Sequence, residues 1–309
     1  MAELPRLLIL GGAGYLGSRI SAALAGEYEV YITYRSLPLA RKRWLAQVPS
    51  VTAVSFDSPL PDVPFDVAIN LAMPSAVEAG KDEEGSLAQA LRVSEILTSL
   101  AGQGRLRRLL HLSTFHVYGT PARERYTEQD EPRPQHPYGR VHLACENKLR
   151  EASHMEELWI VRPTNIVTAP AHADLGPQSR VLFLDLCRQA VQSRRMVLHN
   201  DGLSYRDFLP FDDALAAIRL ILTIPPADSP ILNLSAGVSS RLSEVCEMIA
   251  IRAVDTLGFR PELAFGTGID DYRVPFQVCN QRLHDLGWKP RGDLELEADK
   301  ILTFFAGTS

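Results

Sequence analysis

RLLILGGAGYLGSRI, residues 6–20, decides the fold. Leu7–Leu10 is an unbroken apolar run that reads as a buried strand, and Tyr15 to Ala25 reads as the helix after it. Between them stand Gly11, Gly14 and Gly17. A glycine-spaced turn between strand and helix lets the backbone approach a pyrophosphate and places that anion at the positive helix N-terminus. A glycine triplet alone is also what a flexible turn contains. In this context it points to a bound dinucleotide, with Gly11, Gly14, Tyr15, Leu16 and Gly17 as contact residues. Gly17 is expected to let helix and strand pack closely.

Outward from this turn, short apolar runs recur at Val30–Tyr34, Val51–Ser55, Val67–Leu71, Leu109–Leu112 and Trp159–Arg162. Helices are expected from Glu84 to Leu100 and from Tyr138 onward. Strands alternating with helices predict an α/β protein with a Rossmann-type, doubly wound parallel sheet over residues 1–168. Beyond Ala169, proline and glycine become frequent and the connections lengthen. Residues 169–309 are therefore expected to form mainly a smaller C-terminal substrate-binding lobe, with segments returning to the main sheet.

Bulk composition narrows the partners. With 46% hydrophobic and 22% charged residues among 309, the chain is globular in composition. A net charge of −5 with no long basic run argues against nucleic acid; Arg41, Lys42 and Arg43 are the main basic cluster. Cys145, Cys187, Cys246 and Cys279 are scattered, which fits neither a disulfide framework nor a zinc site, and no metal is expected. The start MAELPRLLIL lacks the pattern of a cleaved leader, and no apolar run approaches membrane-spanning length. These features predict a cytoplasmic protein without a membrane partner.

The end of the second strand reads the adenosine ribose of a dinucleotide. An acid there suits the 2′-hydroxyl of NAD, and arginine suits the 2′-phosphate of NADP. The sequence has Tyr34 and then Arg35, with no carboxylate at hand, so NADP is expected over NAD.

These segments together resemble the extended short-chain dehydrogenase/reductases, the NAD(P)-dependent sugar-nucleotide epimerase/dehydratase family, nearly end to end. The glycine turn is similar to the family's GxxGxxG loop, with Leu10 in place of the usual preceding threonine. HLSTFHVYG (111–119), with Thr127-Glu128 and Pro137-Tyr138-Gly139, resembles its strand-end motif and catalytic helix. INLAMPS (69–75), RPTNIVTAP (162–170), DGLSYRDFLPFDDA (201–214), NLSAG (233–237) and LGWKPR (286–291) extend the likeness. The resemblance implies that Asp57 binds the adenine amino group and that Leu71 and Ala72 line the nicotinamide side.

For the chemistry, it implies hydride transfer at a sugar carbon, with Thr114 as hydroxyl donor and Tyr138 as acid/base. The family places lysine four residues after the tyrosine; here that position is His142. Residues i and i+4 share a helix face, so His142 points where the lysine would. It would reach the cofactor ribose and, if kept protonated by NADP or a carboxylate, would help ionise Tyr138. That arrangement predicts a narrow, bell-shaped pH profile.

Family dehydratases carry Asp-Glu where this chain has Phe115 and His116, which leaves epimerisation or keto-sugar reduction. His116 reads either as an auxiliary acid/base or as a loop residue that packs or faces water. On the substrate side the resemblance implies Asn165 and Arg206 as contacts of the nucleotide diphosphate, and Arg273 is a further phosphate candidate. Arg206 and Asp207 also read as a simple ion pair. The expected function is an NADP(H)-preferring epimerase or reductase of a nucleotide-linked sugar. The rival readings are a reductase of a small carbonyl compound and a catalytically silent NADP-binding regulator. A homodimer is implied through the Glu84–Leu100 and Tyr138–Ser153 helices, with Leu87, Leu91, Leu97 and Leu100 as apolar surface.

Overall fold

Seven strands build the central sheet: β1 (Arg6–Leu10), β2 (Glu29–Tyr34), β3 (Val51–Ser55), β4 (Phe65–Asn70), β5 (Leu106–Leu112), β6 (Glu157–Pro163) and β7 (Ile231–Leu234). The computed structural model describes residues 3–48, 50–152, 154–173, 181–225 and 229–308. All neighbours in the sheet are parallel, in the order β7-β6-β5-β4-β1-β2-β3. Chain order reverses between β1 and β4, and a doubly wound sheet opens its ligand crevice at the carboxyl ends of the strands flanking such a point.

Alternation along β1 explains its two-sided burial. Leu7 and Ile9 face one core with Ile20 and Leu24 of α1 (Tyr15–Leu24). Leu8 and Leu10 face the other, with Val93 and Leu97 of α4 (Glu83–Gly102) and Leu149 of α5 (Pro137–Arg150). Each such side chain contributes about 1.5–3 kcal/mol on burial. The helices α2 (Leu39–Leu45) and α3 (Ala76–Lys81) follow β2 and β4.

In the second half, α6 (Leu182–Ser193), α8 (Leu242–Leu257) and α10 (Leu294–Thr308) enclose a separate apolar cluster that includes Phe183, Cys187, Ile249 and Ile301. The strands Arg195–Asn200 and Glu262–Gly268 pair alongside. From the same half, β7 pairs with β6, Ile231 against Ile160. Helix α7 (Phe211–Thr223) packs Ile218 and Ile221 on the β1 core, while the short α9 (Gln281–Asp285) lends it Leu283.

Several boundaries differ from the sequence reading. β5 begins at Leu106 because Arg108, though charged, is buried and ion-paired to Glu157 at 2.5 Å. α5 ends at Arg150, and Ser153 lies outside the described residues. Leu97 and Leu100, expected as dimer surface, are buried in the core between α4 and the sheet, whereas Leu87 and Leu91 are half-buried. Among the described residues, no helix is long and apolar enough to cross a membrane.

Candidate active site

Parallel register brings the candidate residues to one edge of the sheet. Leu10 pairs with Asn70, and Asn70 with His111, so the turns beginning at Gly11, Leu71 and Ser113 leave the sheet side by side. Gly11 adopts φ +78°, and a Cβ there would stand 3.1 Å from the backbone of both Leu71 and Ala72. At Gly17 a Cβ would lie 2.3 Å from the Gly11 carbonyl oxygen, so only glycine lets α1 sit this close to the turn. The turn is held by bonds from the Gly14 amide to the Gly11 carbonyl at 3.0 Å and from the Gly11 amide to Thr33 Oγ1 at 3.0 Å. Leu16 is half-buried, and Tyr15 donates its hydroxyl to the Thr168 carbonyl at 2.6 Å, tying the turn to the segment after β6.

Thr114 follows β5 and caps a short 3-10 turn, Phe115–Tyr118, by accepting the His116 amide at 3.3 Å. Its own O–H is then free to donate. α5 starts with Pro137 at its first position, where a missing amide costs nothing. A Cβ on Gly139 would stand 2.6 Å from the His116 carbonyl oxygen. Glycine at that position therefore lets α5 close on the turn and brings Tyr138 against Thr114. The Tyr138 pKa is raised, chiefly by desolvation, while a hydrogen bond from Thr114 acts in the opposite direction.

His142 lies on the same face, its ring 4.5 Å from that of Tyr138 at 64°. It is 2% exposed, and neither ring nitrogen has a partner among the described residues. Burial, and then His111 and His116, push its pKa well below the ordinary value, so the ring is neutral. No carboxylate is among the groups acting on His142; besides burial, they are two further histidines. His111 and His116 are themselves brought down to about 3, mainly by burial. Among the described residues no cluster of His, Cys, Asp and Glu is arranged to hold a metal.

The next turn of α5 carries Glu146, which Arg162 of β6 clasps at 3.0 and 2.6 Å and to which Ser113 donates at 2.5 Å. Both partners are 1% exposed, and the Arg162 guanidinium stacks over the Tyr118 ring at 4.9 Å. This pair fixes the face of α5 that carries Tyr138 and His142.

His116 is not a water-facing loop residue. Its Nδ1 meets the Tyr272 hydroxyl at 2.8 Å, and its ring stands edge-on to Tyr138 with centroids 5.7 Å apart. Arg206 lies 3.8 Å over the Tyr272 ring and pairs with Asp270 at 2.6 Å. The expected Arg206–Asp207 pair is absent among these contacts, because Asp207 is turned inward to Thr164 and to the amides of Ala236 and Gly237. Asn165 donates to the Asp207 carbonyl at 2.8 Å, and Arg273 pairs with Asp201 at 2.8 Å. Arg35 is largely exposed and reaches Glu78 of α3 at 3.4 Å, while Asp57 is exposed in the turn after β3. Sequence reading missed Tyr272, Asp270, His111, Asn70 and Glu146; only the i+8 spacing of Glu146 from Tyr138 offered a signal.

The glycine cradle beside Leu71–Ala72 fits a dinucleotide lying across the crevice. The sheet order and this turn define a Rossmann-type α/β protein of the dinucleotide-binding class. The chain belongs to the NAD dependent epimerase/dehydratase family, whose defining pattern matches residues 7–234. It is 23% identical, over 97% of its length and 95% of the relative's, to dTDP-L-rhamnose 4-epimerase of Burkholderia thailandensis. It is 26% identical to dTDP-6-deoxy-L-talose 4-dehydrogenase (NAD(P)(+)) of Kitasatospora kifunensis, covering 96% of this chain and 95% of that one. In structure it is similar to UDP-N-acetylglucosamine 4-epimerase of Methanobrevibacter ruminantium, determined with UDP-N-acetylmuramic acid, with a TM-score of 0.84, 18% identity and full coverage of both chains. The family resemblance and the Rossmann-type fold read from the sequence are thus borne out.

Proposed function

We propose that the chain is an epimerase or keto-reductase of a nucleotide-linked sugar that prefers NADP(H). The observation that carries this reading is the meeting of Thr114, Tyr138 and His142 at the sheet edge that also bears the glycine turn. Gly11, Gly14, Tyr15, Leu16 and Gly17 would hold the pyrophosphate, Asp57 the adenine, Arg35 the 2′-phosphate, and Leu71 and Ala72 the nicotinamide side. The bound cofactor supplies the hydride acceptor or donor. Thr114 orients the sugar oxygen, and Tyr138 takes or returns its proton. His142, as a neutral imidazole, hydrogen-bonds the cofactor ribose without supplying a charge.

Asn165 and Arg206 would meet the nucleotide diphosphate, with Arg206 exchanging part of its contact with Asp270 for phosphate. Arg273 is a weaker phosphate candidate, since Asp201 already engages it. Phe115 packs in an apolar cluster with Phe276, which leaves that position without the acid a dehydratase needs. Residues 1–168 would carry the cofactor and 169–309 most of the substrate contacts.

The experiment is a thermal-shift panel of dTDP- and UDP-sugars with NADPH or NADP+ present, followed by turnover assays on the hits. Stabilisation by one sugar nucleotide with conversion supports the reading, and no stabilisation across the panel contradicts it. A neutral His142 favours one second reading, a catalytically silent NADP-binding regulator. Cofactor binding without turnover of any stabilising sugar would select it. A homodimer through α4 and α5, using Leu87 and Leu91, is part of the proposal; a monomer by light scattering at micromolar concentration would contradict it.

A further inference from the structure

Beneath the tyrosine lies a chain of polar groups whose donors and acceptors are fixed by what they touch. Asn70 and His111 are fully buried neighbours on β4 and β5. The Ala72 amide donates to Asn70 Oδ1 at 3.1 Å, which fixes the orientation of the Asn70 side chain. Its Nδ2 therefore faces His111 Nδ1, also at 3.1 Å. An amide nitrogen only donates, so Nδ1 of His111 must accept, and a neutral imidazole then carries its proton on Nε2. That Nε2 is buried and unpartnered, as are both nitrogens of His142, whose ring centroid is 6.4 Å away. Such unpartnered nitrogens on two neighbouring buried rings are unusual, because buried polar groups are nearly all hydrogen-bonded. With the ring centroids 6.4 Å apart, one water between the rings would satisfy a nitrogen of each.

We infer that Asn70 and His111 are positioning residues that fix the tautomer of His142, with the His111 Nε2–H passed through one water to the His142 nitrogen facing it. The other His142 nitrogen then carries the proton and presents it toward Tyr138 and the cofactor side. This rests on the reading of His142 as part of the catalytic face. It adds that the imidazole replaces the family lysine as a neutral, directed donor. It also ties that donor to the Ala72 backbone, so the nicotinamide-side segment and the catalytic helix share one hydrogen-bond chain. Glu146, one turn further along α5, is engaged by Arg162 and Ser113 and does not compete for the proton.

The test is nitrogen NMR of the full chain labelled with 15N-histidine at neutral pH, the rings assigned by single His→Gln variants. In the parent protein, His111 is expected to be protonated at Nε2 alone, and His142 to be a single neutral tautomer. In His111→Phe, which keeps the ring volume and removes the donor, the His142 signals should move to the average of the two tautomers. His111→Gln, whose amide can accept from Asn70 and donate onward, should restore a single tautomer. A proton on His111 Nδ1, an imidazolium at position 142, His142 signals indifferent to His111→Phe, or a Gln variant that behaves like Phe would each overturn the inference. If His111→Phe does not fold, the parent spectrum still decides through the first two outcomes. No substrate is needed, so a failure here is distinguishable from a failure to turn over any sugar nucleotide.

Discussion

The rings of Tyr138 and His142 meet edge to face, 4.5 Å apart, on one face of α5. The phenol is shifted upward by desolvation and the imidazole downward, so neither charges the other at neutral pH. A lysine at position 142 would instead favour the phenolate.

Oxidation of a sugar hydroxyl needs the phenolate, so kcat/KM in that direction should climb with pH through the alkaline range. It should show one limb and no loss above neutrality. His142→Lys should move that limb to lower pH and raise turnover near pH 7, because an ammonium nearby lowers a phenol's pKa. Rate profiles of the two proteins check this. A parent rate that falls as an imidazolium titrates near pH 7 would contradict it.

Arg35 follows β2 and is largely exposed, reaching half-buried Glu78 on α3 and Gln89 on α4 at 3.4 Å each. Arg35→Ala should weaken NADPH by about tenfold, the size of one charge-assisted contact, and leave NADH nearly unchanged. Calorimetric titration with both cofactors measures this. Equal losses for the two would rule out a 2′-phosphate contact.

Buried His111 and His142, with half-buried His116, make the fold sensitive to acid. The unfolded chain protonates each near pH 6.5, whereas the folded state holds His111 and His116 neutral to about 3, and burial keeps His142 well below its ordinary value. The unfolded state therefore binds more protons below pH 6.5, and each histidine removes about 1.4 kcal/mol of stability per pH unit of further acidification. Asp207 acts oppositely: burial lifts its pKa to about 6, so protonating it between pH 6 and its unfolded value favours the folded state. Urea unfolding at pH 7 and pH 5 should still show a net loss of stability. A level profile would mean that the histidines are solvated.

The buried Glu146–Arg162 pair predicts an asymmetry. Glu146→Gln leaves a buried guanidinium without its counter-charge and should cost about 3–5 kcal/mol. The double variant Glu146→Leu, Arg162→Met removes both charges and should cost much less. Denaturant midpoints for the two decide. Equal destabilisation would mean that the pair acts through packing alone.

What the sequence made legible follows from range. The glycine turn and the period-two burial of β1 are local, so Leu7–Leu10, Gly11, Gly14 and Gly17 could be read directly. Tyr138 and His142 share a helix face by spacing. β7 was not read as a strand, being four residues long and preceded by prolines, and its place depends on pairing with β6. The Asn70–His111 contact exists only because β4 and β5 pair in that register. Tyr272 reaches His116 from a loop 156 residues away, which no local pattern encodes. The charge state of His142 depends on burial among other histidines, which the residue types alone do not determine.

The most direct test is turnover of a stabilising sugar nucleotide by the parent protein and by Tyr138→Phe, with NADPH affinity measured on both. The account predicts conversion by the parent, a fall of at least about a hundredfold on loss of the phenol, as expected for removal of a general acid/base, and cofactor affinity changed little. A Tyr138→Phe variant as active as the parent would contradict it.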